Sequence, residues 1–305
     1  MTILMTGLCE KGADQIWKQC NDAMYAQGVT WLEEAAYAGD AEAWFFLGHC
    51  YSWGDGAVGF NEKKAYECYL RGASAGSARA VLGALRAGQY DEQMKQSARY
   101  SIEESYRQVR DAAEMGDVYA AWQMGEAVEW EDLADYMPQT ESAREQCLFW
   151  YERAADGGII PAMVKMGKCC QNGTYREKDE KEALRWANQC AASGEVWGLF
   201  QMGEHYRQEE DWEVAFQYDY AAAKQGSSRA MLYLGQMYLN GQGTERDIQA
   251  AVQALEGAAA RNEAESFEEL GNLFYQDELV ERDDEKAFYW YGKAYAPGIK
   301  EAALP

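Results

Sequence analysis

One signature returns along this chain at intervals that a single closed globule would not keep. Ala-x-x-x-(Leu/Met)-Gly occurs at Ala43 to Gly48, Ala78 to Gly83, Ala120 to Gly125, Ala162 to Gly167 and Ala230 to Gly235. Weaker forms end at Gly203 and Gly271, and successive glycines lie 35, 42, 42, 36, 32 and 36 residues apart. A second signature runs in phase, a pair of small residues followed by glycine: Ala35-Ala36 with Gly39, Gly72-Ala73 with Gly76, Ala112-Ala113 with Gly116, Ala154-Ala155 with Gly158, Cys190-Ala191 with Gly194 and Ala222-Ala223 with Gly226. Periods of this length build stacked arrays in which each unit packs mainly on its neighbours.

Each unit reads as helix A, a loop, helix B and a tight turn. Apolar residues of Ala43 to Tyr51 recur at helical spacing, and the repeat glycine falls inside helix A. An interior glycine costs about 1 kcal/mol relative to alanine, so its recurrence implies close approach of a neighbouring helix. Helix B opens at Asn61, Ser101, Asp179, Asp211, Asp247 and Asp283. These are side chains that accept from orphan N–H groups of a first turn, so they are read as caps rather than as catalytic carboxylates. Ser101 with Glu104 and Asp179 with Glu182 have capping-box spacing. The buried stripe of helix B holds Tyr69, Trp150-Tyr151, Trp186, Tyr218, Leu255 and Trp290-Tyr291, and the helix ends at the phased glycines, at Asn262 and at Gly298. The pattern predicts an N-terminal capping pair over residues 1–39 with helices at 13–26 and 30–38, an array over 40–298, a tail over 299–305, and a longer insertion at 131–141.

The register Ala-x-x-x-Leu-Gly-x-x-Tyr-x-x-Gly-x-Gly, met at 43–56 and 230–243, with Lys286-Ala287-x-x-Trp290-Tyr291 as its second-helix half, resembles the Sel-1-like repeat family, a relative of tetratricopeptide repeats. The resemblance implies an all-α fold, a right-handed α/α superhelix or solenoid of about seven helix-turn-helix repeats behind the N-terminal cap, with helix A lining the concave face. It also implies an adaptor: host interaction, secretion or toxin neutralisation in bacteria, membrane-complex assembly in eukaryotes. If the groove is like that of tetratricopeptide domains, its partner-binding side chains are Phe45, His49 and Trp53 from the first repeat, Tyr119, Trp122, Glu126, Glu129 and Trp130 from the third, and Trp197, Phe200, Glu204 and Arg207 from the fifth, with Glu265, Glu268 and Tyr275 from the seventh. The same aromatics could instead pack between repeats. Trp53 and Trp130, near helix A ends, are the ones expected at the surface.

The formal net charge is −23. Phosphate binding needs clustered Lys and Arg, so no nucleic acid is expected. A basic protein or peptide is the natural partner, steered in by the field, held by carboxylates and by cation–π contacts on tryptophan. Acidity that merely keeps a long surface soluble is the other reading. No catalytic, cofactor or metal residues are assigned: His49 and His205 have no ligand spacing, Cys169-Cys170 is not Cys-x-x-Cys, and no Gly-x-x-x-x-Gly-Lys occurs. Some cysteine-rich relatives in this repeat class are linked to β-lactam binding, but the cysteine pairs that recur in each of their repeats do not recur here. The eight cysteines are expected as thiols, with Cys50 and Cys68 the best pair if one forms. No segment approaches a membrane span, and Met1 to Cys9 has no Lys or Arg before its short apolar run. The expectation is a cytoplasmic, monomeric, non-catalytic scaffold. A toxin-neutralising immunity protein is the first alternative and an enzyme of the cysteine-rich β-lactamase-like type the second.

Overall fold

A computed structural model of the chain describes residues 7–19, 22–54, 58–130, 143–276 and 282–295. Among them every regular element is an α-helix. The helices pair in chain order: α1 (Gly7–Trp17) with α2 (Asp22–Tyr37), α3 (Ala41–Trp53) with α4 (Glu62–Ala75), α8 (Val118–Glu129) with α9 (Ala143–Asp156), and α10 (Ile160–Asn172) with α11 (Glu180–Ala192). Between the second and third of these pairs, α5 (Ala78–Arg86) packs with α7 (Ile102–Glu114), and a short α6 (Glu92–Ser97) fills the connection. These eleven helices form one compact unit, Met1–Gly194. The second, Glu195–Pro305, pairs α12 (Val196–Gln208) with α13 (Trp212–Lys224), α14 (Ser228–Asn240) with α15 (Ile248–Ala259), and α16 (Ala264–Gln276) with α17 (Asp284–Tyr295). Each unit is a stack of α-hairpins, the solenoid architecture expected from the register.

The local signals acted as their chemistry requires. Asn61, Ser101, Asp179, Asp211 and Asp247 each accept from the third backbone N–H of helix B, and Asp283 accepts from Lys286 N at 3.0 Å. Ser101 and Glu104 close a full capping box. Asp179 and Glu182 do not: the Asp179 N–H donates to the Cys170 carbonyl, and the Glu182 carboxylate is taken by Arg185. Gly76, Gly116, Gly158, Gly194 and Gly226 have φ between 80° and 103°, and Asn262 takes the same left-handed turn at 59°. Gly298 and the insertion at 131–141 lie outside the described residues.

The repeat glycine seats a side chain of helix B. A Cβ at Gly48 would lie 2.7 Å from the Tyr69 ring, at Gly125 2.7 Å from Tyr151, at Gly235 2.6 Å from Leu255 and at Gly271 2.7 Å from Tyr291. The close approach is therefore side chain on backbone, not helix axis on helix axis. This seat also sets the register of two cysteines, Cys68 and Cys147, which do not share one position of helix B. Tyr69 and Tyr151 are equivalent, so Cys147 stands where Ala65 stands, and Cys68 precedes the ring. All seven described cysteines, Cys50 and Cys68 among them, are buried, and Cys50 and Cys68 form no disulfide with each other.

At the N-terminus the helices are α1 and α2, not 13–26 and 30–38. Gly28, in the gap expected between those two helices, lies inside α2, where a Cβ would come 2.8 Å from the Gly12 carbonyl oxygen on α1. Two glycines facing each other let the first hairpin close backbone to backbone.

Candidate partner-binding site on the A-helix faces

Within Met1–Gly194, α3, α5 and α8 bring the expected residues of the first and third repeats together. The His49 ring centroid is 4.8 Å from that of Trp122 and 6.2 Å from those of Phe45 and Trp53, and His49 Nε2 is 3.9 Å from Glu126 Oε2. The face is not an open groove. Trp17 of α1 lies in it, 5.1 Å from Phe46, 5.5 Å from His49, 5.9 Å from Trp122 and 6.2 Å from Tyr119. Tyr119 Oη donates to Asp14 at 2.6 Å, and Lys18 pairs with Asp14 at 2.8 Å. Burial and this carboxylate push the Tyr119 phenol far up. Phe45, His49, Tyr119 and Trp122 are consequently buried. For these four residues packing replaces the groove lining expected from sequence, because the first hairpin sets its own tryptophan into the aromatic stripe.

Trp53 and Trp130 do reach the surface, 49% and 60% exposed. Between them lies Arg86, the last residue of α5, its guanidinium 5.1 Å from the Trp53 ring and 4.7 Å from the Trp130 ring. The two cation–π faces thus already hold a cation of the chain itself. Beneath Arg86 a small pocket is lined by Phe45, His49, Gln123 and Glu126, with interior space of about 20 Å³, on the scale of one or two waters. The nearest approach of Arg86 to Glu126 is 3.8 Å, too long for a hydrogen bond.

Glu129 is committed elsewhere. It pairs with Lys165 of α10 and accepts from Tyr151 Oη at 2.7 Å. Deeper still, Arg79 of α5 is fully buried, paired with Asp117 and 3.6 Å from Glu42. Burial pushes the Glu42 carboxyl up while Arg79 pulls it down. Gln123 Nε2 donates to the Arg79 carbonyl at 3.0 Å, tying α8 to α5.

In Glu195–Pro305 the A-helix face is more open. Trp197, Phe200, Glu204 and Arg207 of α12 are all part-exposed, and Glu265, Glu268 and Tyr275 of α16 are exposed. Phe200 stacks on Tyr233 of α14 at 6.1 Å, and the Arg207 guanidinium lies 3.8 Å from the Tyr233 ring centroid. Arg207 also pairs with Asp219 of α13, which is fully buried. Asp219 occupies the seat over the repeat glycine that tyrosine or leucine takes elsewhere: a Cβ at Gly203 would lie 2.5 Å from its Oδ1. Tyr218, read from sequence as the stripe residue, instead stacks on Tyr206 at 5.6 Å. Burial raises the Asp219 carboxyl to about 6 despite Arg207.

Sequence reasoning missed Arg86, Gln123, Trp17 and Asp219. It took groove positions by offset from the repeat glycine and passed over α5, whose small residues offered nothing at those offsets. Arg79 and Arg86 are the two charged residues of that helix, and that was the available signal. The offset two before the glycine was also absent from the set. Gln123, Lys165, Tyr233 and Glu269 stand there, and each contacts the preceding A helix within its unit. Among the described residues no three His, Cys, Asp or Glu side chains are grouped as metal ligands would be, and no helix is long and apolar enough to cross a membrane.

Comparison with known proteins agrees with this architecture. An uncharacterized protein of Neisseria meningitidis serogroup B is 26% identical over 195 residues, which is 63% of this chain and 38% of that protein. The chain thus spans well under half the length of this relative. A solved protective antigen present in uropathogenic Escherichia coli strains, displaying an SLR fold, aligns over 93% of this chain and 68% of its own at 21% identity and TM-score 0.53. A Sel1 repeat protein from Oxalobacter formigenes aligns over 98% of this chain and 100% of its own at 21% identity and TM-score 0.49. The family model of the Sel1 repeat matches residues 23–40, 41–77, 118–159, 160–195, 228–262 and 268–296. It passes over α5 to α7 and all of α12 and α13, the two hairpins that hold Arg79 and the Arg207–Asp219 pair. With most of its length matched hairpin by hairpin, the chain belongs to the Sel1 repeat family.

Proposed function

We propose that this chain is a non-catalytic scaffold, working as a single copy, that takes a basic protein or peptide on its A-helix faces. The observation that supports this most is the pair of exposed tryptophans, Trp53 and Trp130, with Arg86 between them and a pocket walled by Trp53, Arg86 and Glu126 beside them, in a chain of net charge −23. Tryptophans at the surface beside a small pocket are the usual anchors of an interface, and the excess of carboxylates speeds the approach of a cationic partner. Arg86 alters the mechanism expected from sequence. A partner cation meets tryptophan faces already occupied, so the tryptophans supply apolar contact and the carboxylates supply the charge pairing. The buried thiols fit a reducing compartment such as the cytoplasm. Burial pushes Cys68 and Cys147 up to about 12, which leaves them inert as nucleophiles.

The test is titration of the full chain with fluorescent lysine-rich, arginine-rich and glutamate-rich peptides at low and high ionic strength, repeated with Trp53→Ala and Trp130→Ala. The basic peptides should bind, weaken as salt rises, and weaken several-fold with either variant. Equal binding of the acidic peptide, or no basic binding at any ionic strength, would sink the reading.

A further inference from the structure

We propose that the pocket beneath Arg86 is a subsite for a primary ammonium, the head of a partner lysine, with Glu126 and Gln123 as its acceptors. The proposal rests on the basic-partner reading above and adds which cation enters and where. Glu126 and Gln123 are three apart on α8 and so share one face, and both line the pocket. Gln123 is buried, its amide orientation fixed because Nε2 donates to the Arg79 carbonyl, and its Oε1 accepts no hydrogen bond from the described residues. A buried acceptor of this kind calls for a donor. The Glu126 carboxylate has its ion-pair contacts at 3.8 Å to Arg86 and 3.9 Å to His49, beyond hydrogen-bond reach, so its lone pairs stay available.

Size and shape select the cation. The interior space of about 20 Å³ is on the scale of one or two waters, a size that a compact ammonium with three rotatable donors matches better than a planar guanidinium fork. The guanidinium position of this site, between Trp53 and Trp130, is already filled by Arg86. Phe45 and the exposed edge of Trp53 offer apolar contact to the methylene stem of an entering lysine. The ammonium would approach Glu126 more closely than Arg86 does, and the negative balance of the chain offsets its repulsion from that guanidinium.

The experiment compares a lysine-rich peptide, the same peptide acetylated at every Nζ, and its arginine counterpart, each titrated into the full chain and into Glu126→Gln. The Gln123 side-chain amide resonances are followed in the unmutated protein, so the answer does not depend on the variant folding. Lysine-selective binding, loss of about tenfold with Glu126→Gln and a Gln123 amide shift with the lysine peptide alone are expected. If both basic peptides bind equally well, or if the Gln123 amide does not move, the ammonium subsite is overturned while the basic-partner reading stands. If neither basic peptide binds, the broader reading falls first and takes the subsite with it.

Discussion

The two units handle the same helix A positions in opposite ways. In Met1–Gly194 Trp17 packs over Phe46, His49, Tyr119 and Trp122 of α3 and α8, so that part of the face is core, with a narrow opening at Arg86. In Glu195–Pro305 the equivalent aromatics stay half-exposed, and the unusual burial is a charge pair, Arg207 with Asp219, set between α12 and α13. The repeat pattern prescribes where side chains project. Whether they end as core or as surface depends on what a neighbouring hairpin lays over them.

The sharpest way to break this contrast is Trp17→Ala. Removing a buried tryptophan should cost about 3–5 kcal/mol. Hydrogen exchange should show the loss of protection confined to the A helices of the first unit. Equal loosening of α12 to α16 would show that the two faces are not independent.

Asp219 gives the next largest effect, through pH. Its folded value of about 6 lies above the ordinary carboxyl value of 3.8, so between these pH values the folded chain binds more protons than the unfolded one. Stability contributed at this site is then greatest below pH 3.8 and is lost as pH rises through 6. The gap corresponds to about 3 kcal/mol at 1.36 kcal/mol per unit. Denaturant unfolding of the chain and of Asp219→Asn should therefore diverge in favour of the unmutated chain on going from neutral pH to pH about 4. Parallel pH profiles would mean that Arg207 holds the carboxylate ionised throughout.

Gly125→Ala should destabilise by about 1–3 kcal/mol from overpacking, because its Cβ meets the Tyr151 ring at 2.7 Å and that ring is held by Glu129 through its hydroxyl. The helix-propensity gain of about 1 kcal/mol offsets part of this. Thermal unfolding reads the balance, and a raised Tm would show that the ring can withdraw. The smallest effect belongs to Arg86→Met, about 1 kcal/mol or less in stability, with a change in the fluorescence of Trp53 and Trp130. An unchanged spectrum would place the guanidinium elsewhere in solution.

The fold was legible because each signal carried its own mechanism: caps at Asn61 or Asp247, left-handed turns at Gly116 or Asn262, and the period itself. The site was legible only in part. Sequence offsets placed Trp53 and Trp130 at the surface, since both stand at helix ends. They could not reveal that Trp17 covers Trp122 and Tyr119, because that contact joins residues about a hundred positions apart with no local signature. Nor could they show Asp219 in a ring's place, since Tyr218 one residue earlier satisfied the pattern equally well. Gly28 misled for a related reason: a glycine that permits close packing and one that ends a helix look alike in a string of letters.

The residues two before each repeat glycine make the joints of the array directional. Lys165 meets Glu129, Tyr233 meets Arg207, and Glu269 meets Gln236. These are three different chemistries at one geometric junction, so the hairpins are keyed and not modular. Exchanging α10 with α14 would set Lys165 against Arg207, cation on cation, and leave Glu129 facing a tyrosine. Such an array can grow or shrink only by transferring a hairpin together with the neighbour that reads it, which makes the mated pair, and not the single repeat, its unit of inheritance.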